Sequence, residues 1–137
     1  MLNIGNKISE LTAFFKNNPN IISVWIIGSY GTEFQREDSD IDIAILFKTP
    51  ISLMDEMDIS CKISEIIAYE KVDTIDLKMA PITLQFKTLR EGKLIYEGDY
   101  DKVSDYMEYV FNRYRDEKYY IDSFKKDYFE GYKILKG

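Results

Sequence analysis

The 137-residue chain contains no histidine and a single cysteine, Cys61. Without them no zinc site built on imidazole or thiolate, no Ser-His triad and no Cys-His dyad can be assembled within one chain. Its chemistry must therefore run on carboxylates. The lone cysteine, expected at an apolar helix position, also excludes an intrachain disulfide. The opening Met-Leu-Asn-Ile lacks the basic region and apolar run of a signal peptide, so a cytoplasmic protein is expected. No apolar stretch approaches the roughly 20 residues needed to cross a bilayer, and no membrane partner is expected. Basic residues are outnumbered, 18 Lys and Arg against 24 Asp and Glu, for a net charge of -6. That balance opposes non-specific binding to nucleic acid and suits a basic protein partner better than RNA or DNA. There is no internal repeat, low-complexity tract or flexible linker, and 45% hydrophobic content supports a proper core, so one domain spanning 1–137 is expected.

Apolar spacing sets out an α/β order. Ile4, Ile8, Leu11, Phe14 and Phe15 recur at helical spacing, and Asn17-Asn18-Pro19-Asn20 ends that segment. The run from Ile21 to Ile27 is β-branched and nearly all apolar, as in a central strand buried on both faces, and it delivers Gly28-Ser29 at its C-terminal end. A second strand is expected from Asp40 to Phe47. After Pro50, Leu53, Met57, Cys61, Ile63, Ile66 and Ile67 predict an amphipathic helix to about Glu70. A third strand over 72–77 follows, then a helix from Pro81 to about Arg90 closed by Gly92, a short strand at 94–96, and helix from Asp101 onward. This is an α/β core over 1–99, a small mixed sheet flanked by helices, with a C-terminal helical tail over 100–137.

The segment between the first two strands carries the chemistry. A glycine leaving a buried strand lets backbone approach a ligand closely, and N–H groups of a following helical turn attract phosphate, to which Ser29 adds a hydroxyl. Asp40 and Asp42, at i and i+2 of a strand, project from one face roughly 6 to 7 Å apart. Their repulsion there is about 2 to 3 kcal/mol at an effective dielectric near 20, enough to favour a raised pKa or a bound divalent cation. Mg²⁺, which keeps waters and takes phosphate oxygens, suits such a pair. A plain reading is a solvated strand entrance where acids deter edge association. A calcium loop is excluded, because Ile43 and Thr49 stand where glycine and glutamate are required. A phosphate seat beside a metal seat points instead to metal-assisted nucleotidyl transfer. Asp73 and Asp76 are both candidates for a third acid, but three apart on one strand they face opposite ways, so only one can join the pair.

Gly28-Ser29, ten residues, then Asp40-x-Asp42 resembles the minimal nucleotidyltransferases of the DNA polymerase β superfamily, in particular the MNT-type antitoxins paired with HEPN toxins. The stretch from Val72 to Leu77, then Ala80-Pro81 and Leu89-Arg90-Glu91-Gly92-Lys93-Leu94-Ile95-Tyr96-Glu97, is similar to that group's downstream pattern, so the resemblance covers about residues 3 to 97. It implies a polymerase β-like nucleotidyltransferase fold. It implies metal-binding and catalytic aspartates at Asp40, Asp42 and Asp73, with Asp76 as the alternative, and phosphate positioning by Gly28, Ser29 and Arg36. ATP with Mg²⁺ is the implied AMP donor. The implied acceptor is a tyrosine of a cognate HEPN ribonuclease toxin, silenced by AMP transfer within a hetero-oligomer. The chain departs from the family where Gly31-Thr32-Glu33 replaces Ala-Arg-Gly, losing a cation near the expected triphosphate and gaining an acid. Arg36 matches a second basic position. Two other readings are an antitoxin that acts by binding alone and a small-molecule nucleotidyltransferase of the aminoglycoside-modifying type.

Eight of the eleven tyrosines and three of the eight phenylalanines lie beyond Asp99. Val103, Met107, Val110, Tyr114 and Ile121 predict one apolar face, widened by Tyr106, Tyr109, Tyr119, Tyr120 and Tyr128. Part of that surface is expected to pack on the core and part to dock a partner.

Overall fold

Six of the seven residues of β1, Ile21–Ile27, are buried. A strand covered on both faces belongs inside a sheet, and β1 lies inside a four-stranded sheet of order β3-β2-β1-β4, with β2 Ile41–Phe47, β3 Val72–Asp76 and β4 Lys93–Glu97. β1 runs antiparallel to both β2 and β4, whereas β2 and β3 are parallel. A parallel neighbour requires a crossover, here the helix α2, Leu53–Ile67. The other helices are α1 Ile8–Lys16, α3 Ile82–Glu91 and α4 Tyr100–Lys136, with 3-10 turns at Gly5–Lys7 and Leu77–Met79. This computed structural model describes residues 5–27 and 40–136, with side chains through Tyr119 and those of Asp122 and Lys126. Ile4, Gly28, Ser29 and Arg36 lie outside the described residues, as do the side chains of Tyr120, Ile121 and Tyr128.

The sheet separates two cores. On one face Leu11 and Phe15 of α1 and Ile59, Ile63 and Ile67 of α2 meet Val24, Ile26, Ile41, Ile43, Ile45 and Phe47. On the other, Val103, Tyr106 and Val110 of α4, with Phe86 and Leu89 of α3 beside them, meet Ile22, Trp25, Ala44 and Leu46. Strand alternation sorts β2 between them, Ile41, Ile43, Ile45 and Phe47 to the first and Ala44 and Leu46 to the second. Asn20 fastens the far end of the β1–β2 pair: its carbonyl accepts from the Lys48 N–H at 2.7 Å, and its amide oxygen accepts from both the Thr49 N–H and hydroxyl at 2.8 Å.

The start of β2 and the end of α2 differ from those expected. β2 begins at Ile41, with Asp40 exposed immediately before it. Helix α2 starts at the Ser52 cap, whose hydroxyl accepts from the Asp55 N–H at 3.1 Å, and stops at Ile67 rather than Glu70, because Ala68 turns left-handed at φ 55°. That conformation costs a non-glycine residue roughly 1–2 kcal/mol, and the absence of a glycine there concealed the stop. The apolar face of α2 is only partly the expected one. Ile63, Ile66 and Ile67 pack on the first core with Ile59, whereas Leu53, Met57 and Cys61, on the other side of the helix, are exposed.

Gly92 links α3 to β4 at a point where a Cβ would lie 2.5 Å from the Thr88 carbonyl oxygen and 3.0 Å from Ile27 Cγ2, so only glycine fits without a shift. α3 is held to α4 by Phe86, stacked on Tyr114 at 3.9 Å between centroids and edge-on to Phe111 at 5.7 Å. A buried chain of hydrogen bonds completes this contact. The Tyr106 hydroxyl donates to Gln85 Oε1 at 2.5 Å, and Gln85 Nε2 donates to the Ala80 carbonyl at 2.8 Å. Burial above all, and then the neighbouring Tyr109 and Asp76, push the Tyr106 phenol well above its ordinary pKa, so it remains a donor. Tyr106→Phe leaves the Gln85 oxygen buried and without this donor, and it should lower unfolding free energy by about 1–2 kcal/mol. A urea titration with an unchanged midpoint would show the bond to be dispensable.

Candidate active site

The C-terminal end of β1 and the N-terminal ends of β2 and β3 lie in one row across the sheet. Ile27 pairs with Asp42, and Asp42 pairs with Asp73. Directly opposed residues on neighbouring strands project from the same face, here the face that α3 and α4 cover further along. Asp42 is half-buried, and its carboxyl is held above the usual carboxylate range, first by burial, then by the charge of Asp73, then by that of Asp40. The three aspartates are therefore electrostatic neighbours at one sheet end, with the segment carrying Gly28, Ser29 and Arg36 running between β1 and β2.

Asp76 stands elsewhere. It pairs with Ile45, three residues further along β3 and on the alternate face. Burial raises its pKa, opposed by the N–H of Lys78, the Lys78 ammonium and the N–H of Met79, and it stands at the entry to the 3-10 turn that follows. Its acidic neighbour is Glu56 of α2, itself raised by burial and then by Asp76. The register thus brings Asp73, and not Asp76, to the Asp40–Asp42 end. Alternation alone separates the two acids without saying which faces the pair.

Among the described residues no group of three or more His, Cys, Asp or Glu side chains is arranged to hold a metal ion. The donor chemistry nonetheless fits one. Three oxygen-bearing acids, two of them raising the pKa of the third, call for a hard cation, and Mg²⁺ needs only one or two carboxylates when water and phosphate complete its octahedron. The residues suited to that role are Asp40, Asp42 and Asp73. Among the described residues, no helix is long and apolar enough to span a membrane.

Comparison with known proteins gives a consistent result. The polymerase beta nucleotidyltransferase family model matches residues 9–101. Over 96 residues the chain is 28% identical to the protein adenylyltransferase MntA of Shewanella oneidensis, covering 70% of this chain and 67% of that protein. Over 75 residues it is 40% identical to a provisionally named protein adenylyltransferase of Methanocaldococcus jannaschii, covering 50% of this chain and 76% of that one. Two solved complexes share the fold. A toxin–antitoxin structure with AMP-PNP aligns at TM-score 0.71 and 24% identity, covering 89% of this chain and 95% of the other. A tri-AMPylated Shewanella oneidensis HEPN toxin in complex with an MNT antitoxin gives TM-score 0.70 and 20% identity over the same shares.

The raised pKa of Asp42 has a measurable consequence. A carboxyl that holds its proton more tightly folded than unfolded subtracts stability once ionised. The loss develops as pH rises from 3.8 through the folded value and persists above it. Asp42→Asn should therefore melt at a higher temperature than the parent at pH 7, and the gap should close as pH falls toward 3.8. Equal melting temperatures at pH 7 would show that the carboxylate cluster carries no strain.

Proposed function

Since this chain belongs to the polymerase beta nucleotidyltransferase family, we propose that it is an antitoxin-type protein adenylyltransferase, which moves AMP from ATP to a tyrosine of a cognate HEPN ribonuclease toxin and thereby neutralises it. The observation that carries this reading is the register pairing of Asp42 with Asp73, beside Asp40, at the sheet end where β1 leads into Gly28-Ser29. The names of its relatives give the reaction, and the solved complexes give the partner class.

Gly28 and Ser29 seat the triphosphate, and Arg36 compensates its charge. Asp40, Asp42 and Asp73 would hold Mg²⁺, which supplies neutralisation of the phosphate oxygens. Asp73 also accepts the proton of the tyrosine hydroxyl. The hydroxyl oxygen bonds to the α-phosphorus, the bond from that phosphorus to the bridging oxygen breaks, and pyrophosphate leaves in line. A cytoplasmic setting supplies ATP and keeps the exposed Cys61 thiol reduced. A second reading, neutralisation by binding alone, draws on the Thr32-Glu33 departure.

Incubation with Mg-ATP and a HEPN partner, read by mass spectrometry of the partner, separates the two. The parent should add AMP to a tyrosine, Asp40→Asn/Asp42→Asn should add none, and Asp73→Asn should lose orders of magnitude of rate while Asp76→Asn loses little. An unmodified partner that is still inhibited would establish binding alone, and a larger loss at Asp76 would reassign the third acid.

The tail divides between scaffold and partner. Val103, Tyr106 and Val110 are buried in the second core and Phe111 meets Phe86, so the docking surface falls to the outer residues of α4, among which Tyr119 is exposed. Exposed aromatics bury large area at low entropic cost. Tyr119→Ala should weaken toxin binding by at least about 1 kcal/mol, roughly fivefold, while ATP binding is unchanged. Calorimetry showing undiminished toxin affinity would move the interface off this helix.

A further inference from the structure

We propose that the chain carries a second ligand site, a pocket for a nucleoside phosphate between the sheet and α4, at the end opposite the three aspartates. A cavity of about 550 Å³ opens there over Ile22 and Leu46, walled by Tyr109 and rimmed by Lys48, Lys78 and Lys102. The volume is ordinary for a small-molecule site. Leu46 pairs with Ser23, whereas Asp42 pairs with Ile27, so four residues of strand, about 13 Å, separate the two rows. The pocket is therefore no extension of the nucleotidyl-transfer site.

Its shape has two compartments. A neighbouring groove of about 380 Å³ shares Lys78, Gln85 and Tyr109 with the first and adds Arg113. Tyr109 stands at the junction, half exposed, with its hydroxyl oxygen accepting from Arg113 at 3.1 Å, which fixes the ring as a wall between them. The first compartment is sided by the exposed Tyr109 ring, with the buried Ile22 and Leu46 beneath, and suits a planar base, which gains by stacking on that ring. Arg113 and Lys78, whose ammonium also faces Asp76, border the second, which suits phosphate. A bare anion would gain nothing from the Tyr109 ring, and a purely apolar ligand would gain nothing from the cations.

The charge is unusual for this chain. Across the two linings stand three lysines and one arginine against Asp105 and Glu117, in a protein of net charge -6. Glu117 lies 3.9 Å from Arg113 and Asp99 lies 4.0 Å from Lys102, separations at which partly exposed pairs contribute little, so both cations can turn to a phosphate. Asp105, on the rim, can accept from ribose hydroxyls. Tyr106 contributes its ring, since its hydroxyl is committed to Gln85.

The test uses the full chain carrying Asp40→Asn/Asp42→Asn, without divalent cation, so that nothing depends on nucleotidyl transfer. Calorimetric titration with AMP should give one site per chain. Lys48→Glu/Lys102→Glu in that background should weaken AMP by at least about tenfold, and Tyr109→Ala should weaken it severalfold, with circular dichroism and melting unchanged because all three residues are exposed. Tripolyphosphate and adenosine should each bind more weakly than AMP. Absence of AMP binding, indifference to the lysine reversals, or tripolyphosphate competing as well as AMP would overturn the proposal, the last by reducing the pocket to a general anion groove. If AMP binds this pocket as expected while the parent transfers no AMP to a HEPN partner, the pocket stands and the adenylyltransferase reading fails.

Discussion

The place of β2 between β1 and β3 is the constraint on which the site depends. Its seven residues alternate between two cores, and the alternation leaves no room for error. A slip of one residue would exchange Asp42 with an isoleucine and drive a carboxylate among Leu11, Phe15 and Ile63. Burial of that charge without a partner would cost several kcal/mol. Asn20 defends the register from the other end, where its side chain and carbonyl grip Lys48 and Thr49. The apolar alternation and this polar clamp together place Asp42 beside Ile27 on one side and Asp73 on the other.

Much of this was legible because the signals are local. The apolar run over 21–27 identified the central strand, Pro81 and Gly92 bracketed α3, and the spacing of Gly28-Ser29 from Asp40 and Asp42 identified the family that the comparisons show. What escaped has separate causes. Met57 and Cys61 lie roughly 200° round α2 from Ile59 and Ile63, so with Leu53 they face solvent, and reading both sets as one apolar face overlooked that offset. The end of α2 hid in a left-handed alanine where glycine is the usual marker. Asp73 and Asp76 could be separated by alternation, but only the parallel pairing of β3 with β2 shows which of them lies beside Asp42.

Electrostatics divide the sheet in two. Asp40, Asp42 and Asp73 gather at the end where β1 leads into Gly28-Ser29, and the charges of the other two help keep the Asp42 carboxyl above its usual range. Lys48, Lys78 and Lys102 gather at the other end. A nucleotide phosphate approaching the aspartates meets like charge, so that end favours phosphate only when a divalent cation is shared between them. The cation-rimmed end imposes no such requirement. The two sites as proposed, one metal-dependent at the acidic end and one metal-independent at the basic end, would therefore share one sheet face without competing for the same ligand state.

Helix α4 connects these parts. Its inner residues Val103, Tyr106 and Val110 complete the second core, and the stacking of Phe86 on Tyr114 and its edge contact with Phe111 extend that attachment along α3. The same helix leaves Tyr100 and Tyr119 exposed. A partner held on that outer surface is thereby fixed relative to the face on which Asp42 and Asp73 lie, through packed side chains and not through a flexible joint. For transfer to a protein hydroxyl this matters more than affinity, since a misplacement of an ångström at the reacting atoms can cost about a hundredfold in rate. The aromatic content of the tail divides accordingly: Tyr106 and Tyr114 pack inward against the second core and α3, and Tyr100 and Tyr119 stay exposed, as the proposed docking of a partner requires.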